Sequence, residues 1–226
     1  MPYYLPTLSV LDLVGGAVAL AVAYAAYKYN RLVGGSVPAF LGLSFSLLGL
    51  GLLLQGVLAG MLFAHPDIAY ARLFMVSSYL YLLLQVAAYL TLAVGYTGIT
   101  YSAEPFALSL TALLGPGMLA PTGIALTAPF PIVLRRAFVI DPTFFDAIQL
   151  ASILLLALVV FDAIQLRSKG SFSALVLSAF SLMLAGHAVM LAYPMGFLDY
   201  YLIGSAVRFA GFALLLIFLL RGRHIG

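Results

Sequence analysis

The stretch FDAIQLASILLLALVVFDAIQL, residues 145–166, decides what kind of protein this is. Between two copies of one hexapeptide lie ten residues, Ala151 to Val160, with a single hydroxyl and no charge. A run of this length spans a hydrocarbon core of ~30 Å as an α-helix, with an aspartate near each end. Asp146 and Asp162 are sixteen positions apart. That spacing advances ~24 Å and turns ~160° along a helix, so the two carboxylates sit near opposite membrane faces and cannot form a catalytic dyad.

The rest of the chain agrees. Of 226 residues, 65% are hydrophobic and 8% are charged, against about a quarter charged in soluble domains. Water is therefore not the solvent for most of the surface, and a polytopic integral membrane protein of all-α class is expected. The chain has no cysteine, which excludes disulfides, thiolate metal ligands, iron–sulfur clusters and cysteine nucleophiles. Its net charge of +3 is scattered between oily runs, so no nucleic-acid partner is expected; the bilayer is the partner the composition requires. The opening MPYYLPTLS lacks a basic leader and reads as the entry to a retained first span.

Hydropathy places seven transmembrane helices near 8–27, 38–62, 72–97, 105–127, 143–166, 172–193 and 198–220, in a single transmembrane domain over 1–226. The fourth contains Pro116 and Pro121 with Gly115 and Gly117, and a broken helix is expected there. With seven alternating helices, Lys28, Arg31, Arg167, Lys169, Arg221 and Arg223 fall on one side and Arg72, Arg135 and Arg136 on the other. The excess of basic residues marks the cytoplasmic side, which puts the N-terminus outside and the C-terminus inside, at the plasma membrane.

The chain also carries an internal repeat. GSVPAFLGLSFSLLGLG, residues 35–51, aligns without a gap on GSFSALVLSAFSLMLAG, residues 170–186, with Gly35, Ser36, Ala39, Phe45, Ser46, Leu47 and Gly51 identical at an offset of 135. The expected organisation is a duplication, repeat A over 8–97 and repeat B over 143–220, with 105–127 as the linker helix. In architecture this three-plus-one-plus-three plan resembles the SWEET-type sugar transporters and the microbial rhodopsins. The opening VALAVAYAAYKYNRLVGGSVPAFLGLSFSLLGLGLLL, residues 18–54, is similar to the seven-helix membrane regions of some sensor proteins. No motif carries a functional residue across. A retinal Schiff base needs a lysine in the last helix, and position 208 is arginine, with Lys28 and Lys169 at helix ends. Bis-histidine haem ligation is not expected either, because of His65, His187 and His224 only His187 lies at membrane depth. No cofactor and no metal site are expected.

The polar residues inside the spans are few. Asp12, Asp67, Asp146 and Asp199 fall near outer helix starts, where a carboxylate complements the helix dipole. Asp162 falls at a helix end, where the dipole disfavours an anion, so a structural ion pair with Arg31 or Arg167 is expected. Arg208 is the most informative residue. It lies ~15 Å into the seventh span and shares a face with Gly204 and Gly211, at i, i+4, i+7 spacing, so it is expected to point into the bundle. A cation at that depth must be paired or hydrogen-bonded and marks a functional site by default. Depth places Gln55, Tyr79, Tyr81, Gln149, His187 and Ser205 in the same outer half. The expected ligand-binding set is Arg208, His187, Gln55, Tyr79, Gln149 and Ser205, taking a small polar or anionic molecule as a transporter or receptor would. No catalytic motif is present, and the chain is not read as an enzyme. The alternative is a non-catalytic subunit of a respiratory or secretory assembly, a homo-oligomer or hetero-oligomer. There the glycine stripe Gly42, Ser46, Gly49, Gly56, Gly60 and the small face of the last span would meet partner helices.

Overall fold

A computed structural model describes residues 4–33, 36–100, 142–168, 173–191 and 198–221. Among these residues the fold is all-α: α1 (Tyr4–Val33), α2 (Ser36–Ala64), α3 (Ile68–Thr100), α4 (Pro142–Ser168), α5 (Ala174–Met190) and α6 (Leu198–Arg221). All but the shorter α5 are long and apolar enough to cross a membrane, so the chain is a multi-pass helical membrane protein. The described residues thus carry six helices where the sequence suggests seven; the expected fourth span, 105–127, lies outside them.

Local sequence explains the helix ends. Pro6, Pro38 and Pro142 all stand in first turns, where a missing N–H leaves no bond unmade. Asp67 Oδ1 accepts from Tyr70 N–H (2.9 Å) ahead of α3, and Ser173 Oγ accepts from Leu175 N–H (3.2 Å) ahead of α5. Beyond the ends, the spans are oily on every face. In lipid a helix of this kind is held by its own backbone bonds, and its neighbours are chosen by how closely backbones can approach.

That approach is made by glycine. Along the antiparallel α1–α2 seam, a methyl group added at Gly49 would lie 2.8 Å from Leu20 and 3.1 Å from the Gly16 carbonyl. One at Gly56 would lie 3.1 Å from Asp12 Cβ, and one at Gly60 would lie 3.0 Å from Ser9 Oγ, whose hydroxyl donates to the Gly56 carbonyl (2.7 Å). The α5–α6 seam is as close: a Cβ at Gly186 would meet the Gly204 carbonyl at 2.6 Å, and one at Gly211 would meet the Ala179 carbonyl at 2.6 Å. From Gly49 to Gly60 the small-residue face of α2 is therefore filled by α1, and that of α6 by α5, while Gly42 and Ser46 line a groove.

Each helix packs on the next in chain order, and α6 returns to α1, closing a ring. One continuous core, with Leu52, Tyr89, Phe145, Phe180 and Phe212 among its buried members, draws on all six helices. The outer faces carry exposed Val14, Leu50, Val76, Leu154, Phe161 and Ile203, as a lipid-facing surface requires. Gly51 and Gly186, paired by the repeat, occupy matching places: Gly51 lets α3 in at Tyr81, and Gly186 lets α6 in at Arg208.

The aspartates divide. Asp67 caps α3 and Asp199 stands in the first turn of α6, as the dipole argument expects. Asp12 does not, because α1 begins at Tyr4. It is the ninth residue of its helix and is fully buried. Asp146 is half-buried one turn into α4.

Candidate functional site

Arg208 is the eleventh residue of α6, ~15 Å from its start, and 1% exposed. Its stem lies against Gly186, where only a glycine leaves room, and its guanidinium crosses the bundle interior to α3. There Nη1 donates to Tyr81 Oη and to Gln85 Oε1 (3.0 Å). The rings of Tyr81, Phe209 and Phe212 surround the charge, with centroids 5.7, 5.2 and 5.9 Å from Cζ. Aromatic faces of this kind offset part of the cost of removing a cation from water.

From Gln85 the bonding continues to α4. Gln85 Nε2 donates to Ser152 Oγ (3.0 Å), and Ser152 donates to the Ile148 carbonyl (2.8 Å). One turn further along α3, Tyr89 Oη and His187 Nε2 are 2.7 Å apart, and His187 Nδ1 is 2.6 Å from Gln149 Oε1. With the Gln149 oxygen accepting, Nδ1 carries a hydrogen and Nε2 accepts from the Tyr89 hydroxyl. Tyr81, Gln85 and Tyr89 stand at i, i+4, i+8, a single polar stripe on α3 aimed into the ring.

The other edge of Arg208 is unmatched. Nε and Nη2 are buried and have no hydrogen-bond partner, and neither carboxylate oxygen of Asp12 has one. Ser205 Oγ, one turn before Arg208, and Gln55 Oε1 on α2 are buried and unpartnered as well. Asp12 and Arg208 lie within electrostatic reach of each other but form no direct bond. The register places these groups together: Gly15 of α1 faces the Phe209 ring, and Gly56, next to Gln55, packs on Asp12. Buried polar groups are nearly always bonded, so orphaned donors and acceptors on three adjoining helices mark a place built for something polar. Paired Nε–H and Nη2–H groups fit two oxygens of a carboxylate or phosphate at once.

Of the residues singled out by sequence, the structure buries Arg208, Ser205 and Gln55 and links His187 to Gln149. Tyr79 stands elsewhere, with its ring 5.1 Å from Phe144; Tyr81 is the tyrosine on Arg208. Two positions on a helix turn ~200°, so depth alone does not tell these two faces apart. Asp162, Arg31 and Arg167 were the expected ion pair. Asp162 is buried and accepts from Thr97 Oγ1 (2.9 Å), because α3 continues past 97 to the level of Asp162. Arg31 is exposed, with its guanidinium 4.9 Å from the Tyr27 ring, and Arg167 is exposed. Gln85, Tyr89 and Ser152 were missed, although the four-residue spacing from Tyr81 was present to be read. Asp12 was assigned to the surface.

Among the described residues no three potential metal-ligating side chains gather. A groove of about 520 Å³ on the outer side of α1 and α2, at Tyr24, Tyr27 and Gly42, is separate from the Arg208 interior and has no charged lining. No protein-family model, no curated protein and no solved structure matches this chain.

Proposed function

We propose that the protein binds a small anionic molecule inside its helix ring, at Arg208, as a transporter or a receptor-like sensor does. One observation carries this reading: the Nε/Nη2 edge of a fully buried guanidinium has no partner, while Nη1 is held by Tyr81 and Gln85. A structural arginine in lipid saturates its donors on carbonyls and hydroxyls. Here one edge is fixed and the other left open, which orients the cation for a ligand. Ser205 and Gln55 supply a further donor and acceptor, and the His187–Gln149–Tyr89 group braces the wall.

The reading extends to topology. In repeat terms α1–α3 correspond to α4–α6, and the closed ring, with Gly51 and Gly186 in matching seams, supports a duplicated bundle of the transporter kind. The distribution of basic residues supports a plasma-membrane protein with its N-terminus outside. The assembly-subunit alternative has less behind it, since α1 and α5 occupy most of the small-residue faces, with Gly42 and Ser46 still lining a groove.

The test is binding in lipid nanodiscs. Acetate, propionate, phosphate and sulfate are titrated against wild type, Arg208→Lys and Arg208→Leu, with thermal unfolding and calorimetry as readouts. At least one anion should bind wild type saturably. Arg208→Lys, which keeps the charge and loses the planar edge, should weaken it about tenfold or more. Arg208→Leu should insert and fold without binding. Saturable binding unchanged in both variants, or no binding by wild type, refutes the proposal.

A further inference from the structure

The open edge of Arg208 has a competitor within the protein. Asp12 is buried on α1, both its oxygens lack a partner, and Arg208 is the cation within its electrostatic reach. We infer that Asp12 is the proton-carrying partner of the Arg208 site, so that a small carboxylate is taken up together with one proton. The inference rests on the anion-binding reading above and adds its ligand class and its coupling ion.

The groups facing Asp12 leave few choices. From α6 come Arg208 and the unpartnered Ser205 hydroxyl; Tyr201, half-buried two turns before Arg208, also lies within the electrostatic range of that guanidinium. The first turn of α6 adds exposed Asp199 and Tyr200. From α3 come Tyr81, whose hydroxyl already accepts from Arg208, and Tyr89, and from α5 comes His187; both of the latter lie within the electrostatic range of the same guanidinium and are bonded to each other. The whole of α2, Ser36 to Ala64, contains no titratable residue, so Gln55 is the only strongly polar group it offers. On α1 itself Lys28 and Arg31 stand four turns or more away, at the opposite end of the helix. Among the described residues, one cation and one carboxylate therefore share this interior, and the His187 imidazole is already held between Gln149 and Tyr89.

With no ligand and Asp12 ionised, the carboxylate and the guanidinium would balance each other's charge inside the ring. A ligand carboxylate on the Nε/Nη2 edge would set two anions against one cation at bilayer depth. Carboxylates sharing one site do not both stay ionised, and one of them holds a proton. The ligand, gripped bidentately, is best served as the anion. Asp12, with no donor on either oxygen, is the group able to accept the proton, and its new O–H would have the Gln55 oxygen, otherwise unpartnered, as an acceptor. The balance is simple: one ligand anion and one proton enter from water, Asp12 passes from carboxylate to carboxylic acid, and the net charge inside the ring is unchanged. A sodium ion would not serve as well, because it would sit beside the guanidinium and repel it.

The test titrates propionate into the wild-type protein in nanodiscs at alkaline pH, with Asp12 ionised before binding, by calorimetry in two buffers of equal pH and different ionisation enthalpy. The difference should report uptake of about one proton per propionate bound. An infrared difference spectrum should show a protonated carboxylic-acid carbonyl appearing on binding. Asp12→Asn should bind propionate with no proton uptake, no carbonyl band and an affinity that no longer falls with rising pH. Replacing sodium by choline should change nothing. Propionate binding to wild type without proton uptake, or uptake that persists in Asp12→Asn, or a requirement for sodium, overturns the coupling and leaves anion binding standing. No saturable binding of propionate, while phosphate or sulfate binds, overturns the carboxylate assignment. Failure of every anion overturns the parent reading.

Discussion

Gly186→Ala is the most exacting probe of how Arg208 is held. The added Cβ would lie 2.6 Å from the Gly204 carbonyl, 2.9 Å from Arg208 N and 3.0 Å from Arg208 Cβ. All of these are on the partner helix and two are backbone atoms, so no flexible side chain can move aside. Ordinary contact begins at 3.4 Å, and α5 and α6 must part by about 0.8 Å, the difference of 3.4 and 2.6. Overpacking of this kind costs ~1–3 kcal/mol, against a gain of at most ~1 kcal/mol from replacing glycine in a helix. A net loss of ~1–2 kcal/mol lowers Tm by ~2–8 °C in a chain of this size. The same movement shifts the Arg208 backbone relative to α3 and disturbs the bond from Nη1 to Gln85 Oε1, now 3.0 Å. Anion binding should weaken together with stability. The matched control is Gly98→Ala on α3, where nothing lies within 4 Å of the added Cβ; that variant should be as stable as wild type or slightly more so. Thermal unfolding in nanodiscs, followed by circular dichroism, compares the two. Equal midpoints for Gly186→Ala and Gly98→Ala would show that the α5–α6 seam is not this close and that Arg208 is not positioned by it.

Three further outcomes are expected. Tyr81→Phe keeps the ring beside the guanidinium and removes its acceptor, and should destabilise by ~1.5–3 kcal/mol in chemical or thermal unfolding; a change under ~0.5 kcal/mol would show that the bond does not hold Arg208. In a double-mutant cycle, Tyr89→Phe and His187→Leu should show a coupling of ~0.5–3 kcal/mol; additive effects would separate two groups that stand 2.7 Å apart here. Thr97→Val should cost ~1–3 kcal/mol by stripping a donor from buried Asp162, while Arg31→Ala and Arg167→Ala stay within ~0.5 kcal/mol, and the reverse order in unfolding experiments would restore the ion-pair latch.

How far the sequence could be read depended on the kind of information each residue carries. Hydropathy alone located the described spans, because lipid permits little besides helices with satisfied backbones. Arg208 was placed inward by its neighbours Gly204 and Gly211, and its depth was right because α6 does begin at 198. Facing was harder. Depth alone does not separate Tyr79 from Tyr81; only the four-residue spacing of Tyr81 with Gln85 and Tyr89 marks its face as the inward one, while Tyr79 packs on α4. Asp12 was misplaced for another reason: α1 starts four residues earlier than its oily run suggested, and that shift moves a carboxylate from the membrane surface to the interior. The Asp162–Thr97 bond joins residues 65 positions apart, and nothing local announces it.

The stripe on α3 has a bearing on how the chain is made. Tyr81 and Gln85 meet Arg208, Gln85 meets Ser152, Tyr89 meets His187 and Thr97 meets Asp162, so all these partners belong to the second half of the chain. A ribosome delivers α3 well before any of them exists. Until α4, α5 and α6 emerge in turn, four hydrogen-bonding side chains of a newly inserted helix face hydrocarbon or borrowed company, and Tyr81 waits longest, for α6. The first half is therefore poorly suited to stand alone in lipid, and membrane insertion of this protein should retain α3 near the translocation machinery, or near a chaperone, until the last helix arrives to receive it.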